Sequence, residues 1–129
     1  STLAGHVTVG DYVTLAGMVA VHQFCNIGRH AFIAGGSLVR KDIPPFVKAA
    51  REPLSYVGIN SVGLRRRGFS SEKIREIQNI YRILYQKKFN NTQAINIIEA
   101  EVEATSDRDE ILVFIKDSQR GIMKGYIQN

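Results

Sequence analysis

The chain has 129 residues, 44% of them hydrophobic and 22% charged, with a net charge of +5 and a single cysteine. It is long enough for one ordinary domain, yet no apolar run approaches the ~18 residues that a membrane-spanning helix requires. A lone Cys25 excludes an intramolecular disulfide framework and suits a reducing, cytoplasmic setting.

The first element is a repeat. Leu3, Val9, Leu15, Val21, Ile27, Ile33 and Val39 recur at a spacing of six. A strand alternates with period two and a helix with period 3.6, so a strict period of six predicts a coil of triangular cross-section, with three hexapeptides to a turn. Each aliphatic residue then points into the shaft. Val7, Val13, Val19, Cys25, Ala31, Ser37 and Ile43 are compact enough to share the interior, which makes Cys25 a buried filler rather than a nucleophile. The residue after each aliphatic one is mostly small (Ala4, Gly10, Ala16, Gly28, Ala34), as a tight corner demands. The repeat covers residues 3 to about 44, roughly two and a third turns of eighteen residues. A solenoid needs several repeats and a terminal cap, so the expectation is a C-terminal piece of a longer protein.

Ile43-Pro44-Pro45 is expected to end strand pairing, because proline donates no ladder hydrogen bond. Three regions follow: coils over 1–45, a connector over 46–69 that is irregular or holds short strands, and a three-helix domain over 70–129. Ser70 or Ser71 is the expected N-cap of a helix over about 71–87, with Ile74, Ile77, Tyr81 and Leu84 on its apolar face, joined by Ile80 and Tyr85. Thr92 opens a second helix running to about Ala104, with Ile95, Ile98 and Val102 inward. Ser106 with Asp109 resembles a capping box and starts a third, with Ile111, Phe114 and Ile115 inward and Gly121 as its stop. These stripes fit helices packing on each other and on the coil; a partner-binding face is the alternative.

Charge is unevenly spread: residues 61–88 hold eight Lys/Arg against two Asp/Glu, and residues 89–129 hold four against seven. A local basic patch attracts nucleotide phosphates, an acidic protein or nucleic acid. Nucleic acid would call for aromatics interleaved as stacking platforms, whereas Tyr81 and Tyr85 follow helical core spacing. The run Gly63-Leu64-Arg65-Arg66-Arg67-Gly68-Phe69 supplies adjacent planar donors suited to phosphate, or else is a solvated basic linker.

Within the coil, bulky polar residues stand out. His22 stands where other repeats carry Ala, Gly or Arg, Gln23 follows it, and His6 lies near a corner; His30 fits ordinary solvent exposure. One Cys and three His lack zinc-site spacing, and there is no phosphate-binding glycine-rich loop.

Together these segments resemble the C-terminal part of the acyl-ACP–UDP-N-acetylglucosamine O-acyltransferases, the first enzymes of lipid A synthesis. The matching stretches are LAGHVTVGDYVTLAGMVAVHQFCNIG (3–28), KDIPPFV (41–47) and GINSVGLRRRGFS (58–70), and the likeness runs on to Arg120-Gly121. Other hexapeptide acyltransferases share the coil but not the pairing of AVHQFC with GLRRRGF.

The resemblance implies a left-handed parallel β-helix with a C-terminal helical domain, assembled as a homotrimer with active sites between neighbouring coils. The implied reaction moves an R-3-hydroxyacyl group from acyl carrier protein to the 3-hydroxyl of UDP-N-acetylglucosamine. It needs no metal or organic cofactor beyond the carrier's phosphopantetheine arm. The family's general-base histidine belongs to a His-x-x-His-Asp motif upstream of LAGH, and this sequence has no such motif. Of the family's site positions, Gly5 matches the oxyanion-hole glycine. His6 and His22 match histidines that shape the site, and Gln23 a substrate-contacting glutamine. Gly35 matches the position that leaves room for a long acyl chain, and Asn60, Arg66 and Arg67 those that hold the uridine diphosphate. Two departures bear on nucleotide contact: Val62 stands where some members carry an acidic residue, and Arg51-Glu52-Pro53-Leu54 replaces the commoner Gly-Asn-His segment.

The expected function is therefore the C-terminal part of this acyltransferase, inactive alone for want of the base. A non-enzymatic trimeric assembly module that docks an acidic partner is the alternative from another class. Acetyl or succinyl transfer from coenzyme A fits the coil but has no account of AVHQFC with GLRRRGF.

Overall fold

A computed structural model describes residues 2–3, 5–86 and 89–125. The side chain of Leu3 and all of Ala4, expected in the shaft and at a corner, lie outside what is described.

Seven two-residue strands follow one another at the predicted spacing: β1 (Thr2–Leu3), β2 (Thr8–Val9), β3 (Thr14–Leu15), β4 (Ala20–Val21), β5 (Asn26–Ile27), β6 (Phe32–Ile33) and β7 (Leu38–Val39). Thr2 pairs with Ala20, Thr8 with Asn26, Thr14 with Phe32 and Ala20 with Leu38, all parallel. Every partner is eighteen residues on, so three strands make one turn and three flat faces run the length of the coil. Parallel stacking satisfies the backbone between turns, as in the 2.8 Å bond from the Gly10 N–H to the Ile27 carbonyl. The shaft fills as predicted where turns stack on both sides: Val21, Ile27, Ile33, Val39, Cys25 and Ala31 are all buried. Val9, in the first turn, remains 38% exposed.

The corners differ from expectation. The turning residue is not the small one after the aliphatic but the one two further on, where His6, Tyr12, Met18, Phe24, His30 and Gly36 all take φ between 60° and 76°. This is the left-handed region that bulky residues ordinarily avoid. The small residues answer to a different constraint, the close approach of stacked turns. A methyl group on Gly10 would lie 2.7 Å from the Arg29 nitrogen, and one on Gly28 would lie 2.7 Å from the Pro45 Cα.

The proline pair does not end strand pairing. β8 (Val47–Ala50) stacks on β6 with Phe32 opposite Lys48, an offset of sixteen rather than eighteen. The shortening falls before the prolines, at Arg40-Lys41, because Ile43 already pairs with Ile27 sixteen residues earlier. Pro44 and Pro45 lie in the next corner, and both are buried. β9 (Ser55–Ile59) then folds back antiparallel on β8.

The basic run is no extended linker. Residues Ser61–Arg66 form a short helix, α1, capped by Asn60. Next come α2 (Ser71–Gln86), α3 (Asn91–Glu101) and α4 (Ser106–Asp117). Ser70 caps α2 through its hydroxyl, which accepts from the Lys73 N–H. The second helix begins one residue before the expected Thr92 and ends before Ala104, because Asn90 and Gln93 form the capping box. The third is capped by Thr105 rather than Ser106, and it stops at Asp117, ahead of Gly121.

Tyr81 joins helix to coil: fully buried on α2, its hydroxyl donates to the Pro45 carbonyl at 2.6 Å. Arg29 of the coil meets Glu110 of α4 at 2.9 Å, and Lys73 of α2 meets Asp107 of α4 at 3.1 Å. Buried Asp42 accepts from the Asn26 N–H and the Ser118 hydroxyl, which closes the shortened turn against the chain after α4.

Candidate functional site

Because residues eighteen apart share an edge of the prism, the edges collect side chains from distant hexapeptides. The first edge carries Gly5 and His6 below His22, Gln23 and Phe24, all exposed. The His6 ring stacks on Phe24 with centroids 5.3 Å apart, so the first histidine is held beside the His22-Gln23 pair. Gly5 has open space where a Cβ would be.

The second edge carries Tyr12, His30 and Phe46, stacked at 4.9 and 5.9 Å, with Phe69 edge-on to His30 at 5.2 Å. Asn60 and Arg67 join this edge. The Asn60 amide donates to the His30 carbonyl at 2.9 Å and accepts from the Gly63 N–H at 3.2 Å. The Arg67 guanidinium carbon lies 4.0 Å from the centre of the Tyr12 ring. Arg66 is exposed in the last turn of α1, where a cation also complements the negative helix end.

The third edge carries Gly17, Met18, Gly35 and Gly36. A Cβ on Gly35 would meet the Gly17 carbonyl oxygen at 3.0 Å, and Gly36 donates to that same oxygen. Of the eight residues singled out from the sequence, four thus lie on the first edge, Asn60 and Arg67 join the second with Arg66 beside them in α1, and Gly35 is apart on the third. A groove of about 720 Å³ between the coil and α4 is lined by Gly10, Asn26, Arg29, Val113 and Phe114 and contains none of the eight.

His30 does not fit the solvent exposure expected of it. It is only 3% exposed, and burial, helped by the positive charge of Arg29, lowers its pKa from the usual value. Burial likewise pushes the Cys25 thiol up, which suits a filler and not a nucleophile. The aromatic stack on the second edge went unrecognised in the sequence. Its signal was in the same six-residue register: bulky His6, Tyr12, Met18, Phe24 and His30 at every sixth position.

A family model described as Udp N-acetylglucosamine O-acyltransferase, domain 2, matches residues 42–123. The chain belongs to this family. The acyl-(acyl-carrier-protein)–UDP-N-acetylglucosamine O-acyltransferase of Myxococcus xanthus is 44% identical over 118 residues, 92% of this chain and 46% of the relative. Its namesake in Herminiimonas arsenicoxydans is 46% identical over 96% of this chain and 49% of its own length. The crystal structure of the Francisella novicida UDP-N-acetylglucosamine acyltransferase covers 95% of this chain and 45% of that chain, at 40% identity and a TM-score of 0.89. That from Bacteroides fragilis has 42% identity and a TM-score of 0.83. The chain thus spans about half the length of the curated relatives it matches. Among the described residues, no helix is long and apolar enough to cross a membrane.

Proposed function

We propose that the protein carrying this sequence moves an R-3-hydroxyacyl chain from acyl carrier protein to the 3-hydroxyl of UDP-N-acetylglucosamine, the first step of lipid A synthesis, in the cytoplasm. The observation that carries this reading is likeness over 92–96% of the chain to relatives named for that donor and acceptor. In the step itself the sugar oxygen attacks the thioester carbonyl, a C–O bond forms, the C–S bond breaks, and the thiol leaves. The sugar hydroxyl is a weak acid, so its proton must pass to a neutral histidine and on to the departing sulfur. The family's base motif is not in this sequence, so the chain contributes binding and charge stabilisation. The Gly5 N–H faces the thioester oxygen as an oxyanion donor. His6, His22 and Gln23 shape the acceptor site, Gly35 leaves the acyl groove open, and Asn60, Arg66 and Arg67 hold the diphosphate.

Two facts favour a site completed by a neighbour in a homotrimer of left-handed coils. The eight residues are spread over three edges and α1 of one chain, and the groove between the coil and α4 contains none of them. Mass spectrometry of the complete protein incubated with R-3-hydroxyacyl carrier protein and UDP-N-acetylglucosamine tests the reaction. O-acylated sugar nucleotide is expected. Transfer only from acyl-coenzyme A, or none from any donor, overturns the assignment. The present chain alone should bind the nucleotide without transferring to it; turnover abolished by His6→Ala would instead make His6 the base.

A further inference from the structure

The second edge holds two arginines in opposite circumstances. Arg29 lies 5.5 Å from the Phe46 ring centre but spends its donors on Glu110, with Asp107 at 3.6 Å. Arg67 lies closer to its ring, 4.0 Å from that of Tyr12, and among the described residues it forms no ion pair. Tyr12 itself is 52% exposed. Its inner face rests on His30, and a ring there fills no core. A guanidinium over an aromatic face is attracted by the ring quadrupole, while its in-plane N–H donors stay free for a phosphate.

We infer that Tyr12 is a positioning residue: its ring is the platform that holds the Arg67 guanidinium with its donors aimed at the diphosphate of the acceptor nucleotide. The inference rests on the reading of Arg67 given above. It assigns a residue of the second hexapeptide to nucleotide recognition, through an arginine fifty-five positions later in the chain. Tyr12 has φ of 60°, so the ring is best removed by a residue that tolerates this conformation, and asparagine does.

The test is steady-state kinetics on the complete protein with four variants. Tyr12→Asn should raise the KM for UDP-N-acetylglucosamine about two- to fivefold, the size of an exposed cation–π contact, with kcat and the KM for the acyl donor unchanged. Tyr12→Phe, which keeps the π face and drops the hydroxyl, should restore the parent value. Arg67→Ala should raise the same KM by more. Adding Tyr12→Asn to Arg67→Ala should then change nothing further, because the ring acts only through the arginine. If Arg67→Ala raises KM and Tyr12→Asn does not, or if the two effects add, the platform is refuted while the nucleotide assignment stands. If Arg67→Ala itself leaves KM unchanged, the assignment of Arg67 fails and the platform with it.

Discussion

At the scale of single residues, glycines and histidines do different work from what their types suggest. A Cβ on Gly35 would lie 3.0 Å from the Gly17 carbonyl oxygen, a tight contact, so a side chain fits there only after a shift of a few tenths of an ångström. Gly35→Met in the complete protein should turn acyl preference toward shorter chains, read from competition between carrier proteins of different acyl length. An unchanged profile would sink its role as the ruler. His30 supplies a pH signature. Its folded pKa is lowered, first by burial and then by Arg29, while Glu110 and Asp107 partly oppose and Arg67 adds to the effect. The unfolded chain therefore takes up the proton first. The stability His30 contributes is complete above its unfolded value, about 6.5, and is lost as pH falls below it. His30→Phe keeps a ring in the stack and removes the titration. Urea midpoints of parent and variant should accordingly diverge as pH drops from about 7 to about 5, and parallel curves would disprove the link.

At the scale of elements, α1 decides where the basic run points, and Asn60 decides where α1 begins. One amide accepts from Gly63 and donates to the His30 carbonyl, so helix start and coil corner are fixed by the same side chain. Its fit is tight: a Cβ on Gly63 would lie 3.0 Å from the Asn60 Cγ. Asn60→Ala removes the cap and leaves the carbonyl of buried His30 without this donor, a cost of about 1–2 kcal/mol for the cap alone. Asn60→Asp keeps the acceptor for the cap and loses the donor. Denaturant unfolding should therefore rank the native chain above Asn60→Asp and Asn60→Ala lowest; equal midpoints would mean that the amide is not structural. The helices after Ser70 were legible because their apolar residues repeat at 3.6. Their starts shifted by at most a residue, where two capping side chains competed, while α3 and α4 end about three or four residues before the expected Ala104 and Gly121. α1 was not legible. It is six residues long, with one buried apolar residue, Leu64, so it has no periodicity to detect.

Over the whole molecule, the coil was readable down to the register because a shaft of Val and Ile tolerates no other period. Its edges were less readable. His6, His22 and Gln23 stood out as bulky residues on the repeat, but the stack of Tyr12, His30 and Phe46 did not, since side chains on an edge obey no packing rule as strict as that of the shaft. The proline pair misled for a definite reason. Proline forbids donation to a ladder, but these two sit in a corner between strand pairs, so the stack resumes at Val47, in a register already shifted by two residues at Arg40-Lys41. The eighteen-residue pairing also restricts how this coil can change its length. Deleting residues 11–16 keeps every aliphatic residue in phase with the shaft, so that variant should still fold and show a parallel-strand circular dichroism spectrum. Everything upstream, however, would turn by one face relative to everything downstream, and the Gly5-His6 corner would no longer lie below His22 and Gln23. Acyl transfer by the complete protein should disappear without loss of the fold. The coil thus behaves like a dial with three stops. Insertions and deletions of six residues are silent to the core and ruinous to the edges, and only steps of eighteen return each edge to its own letters.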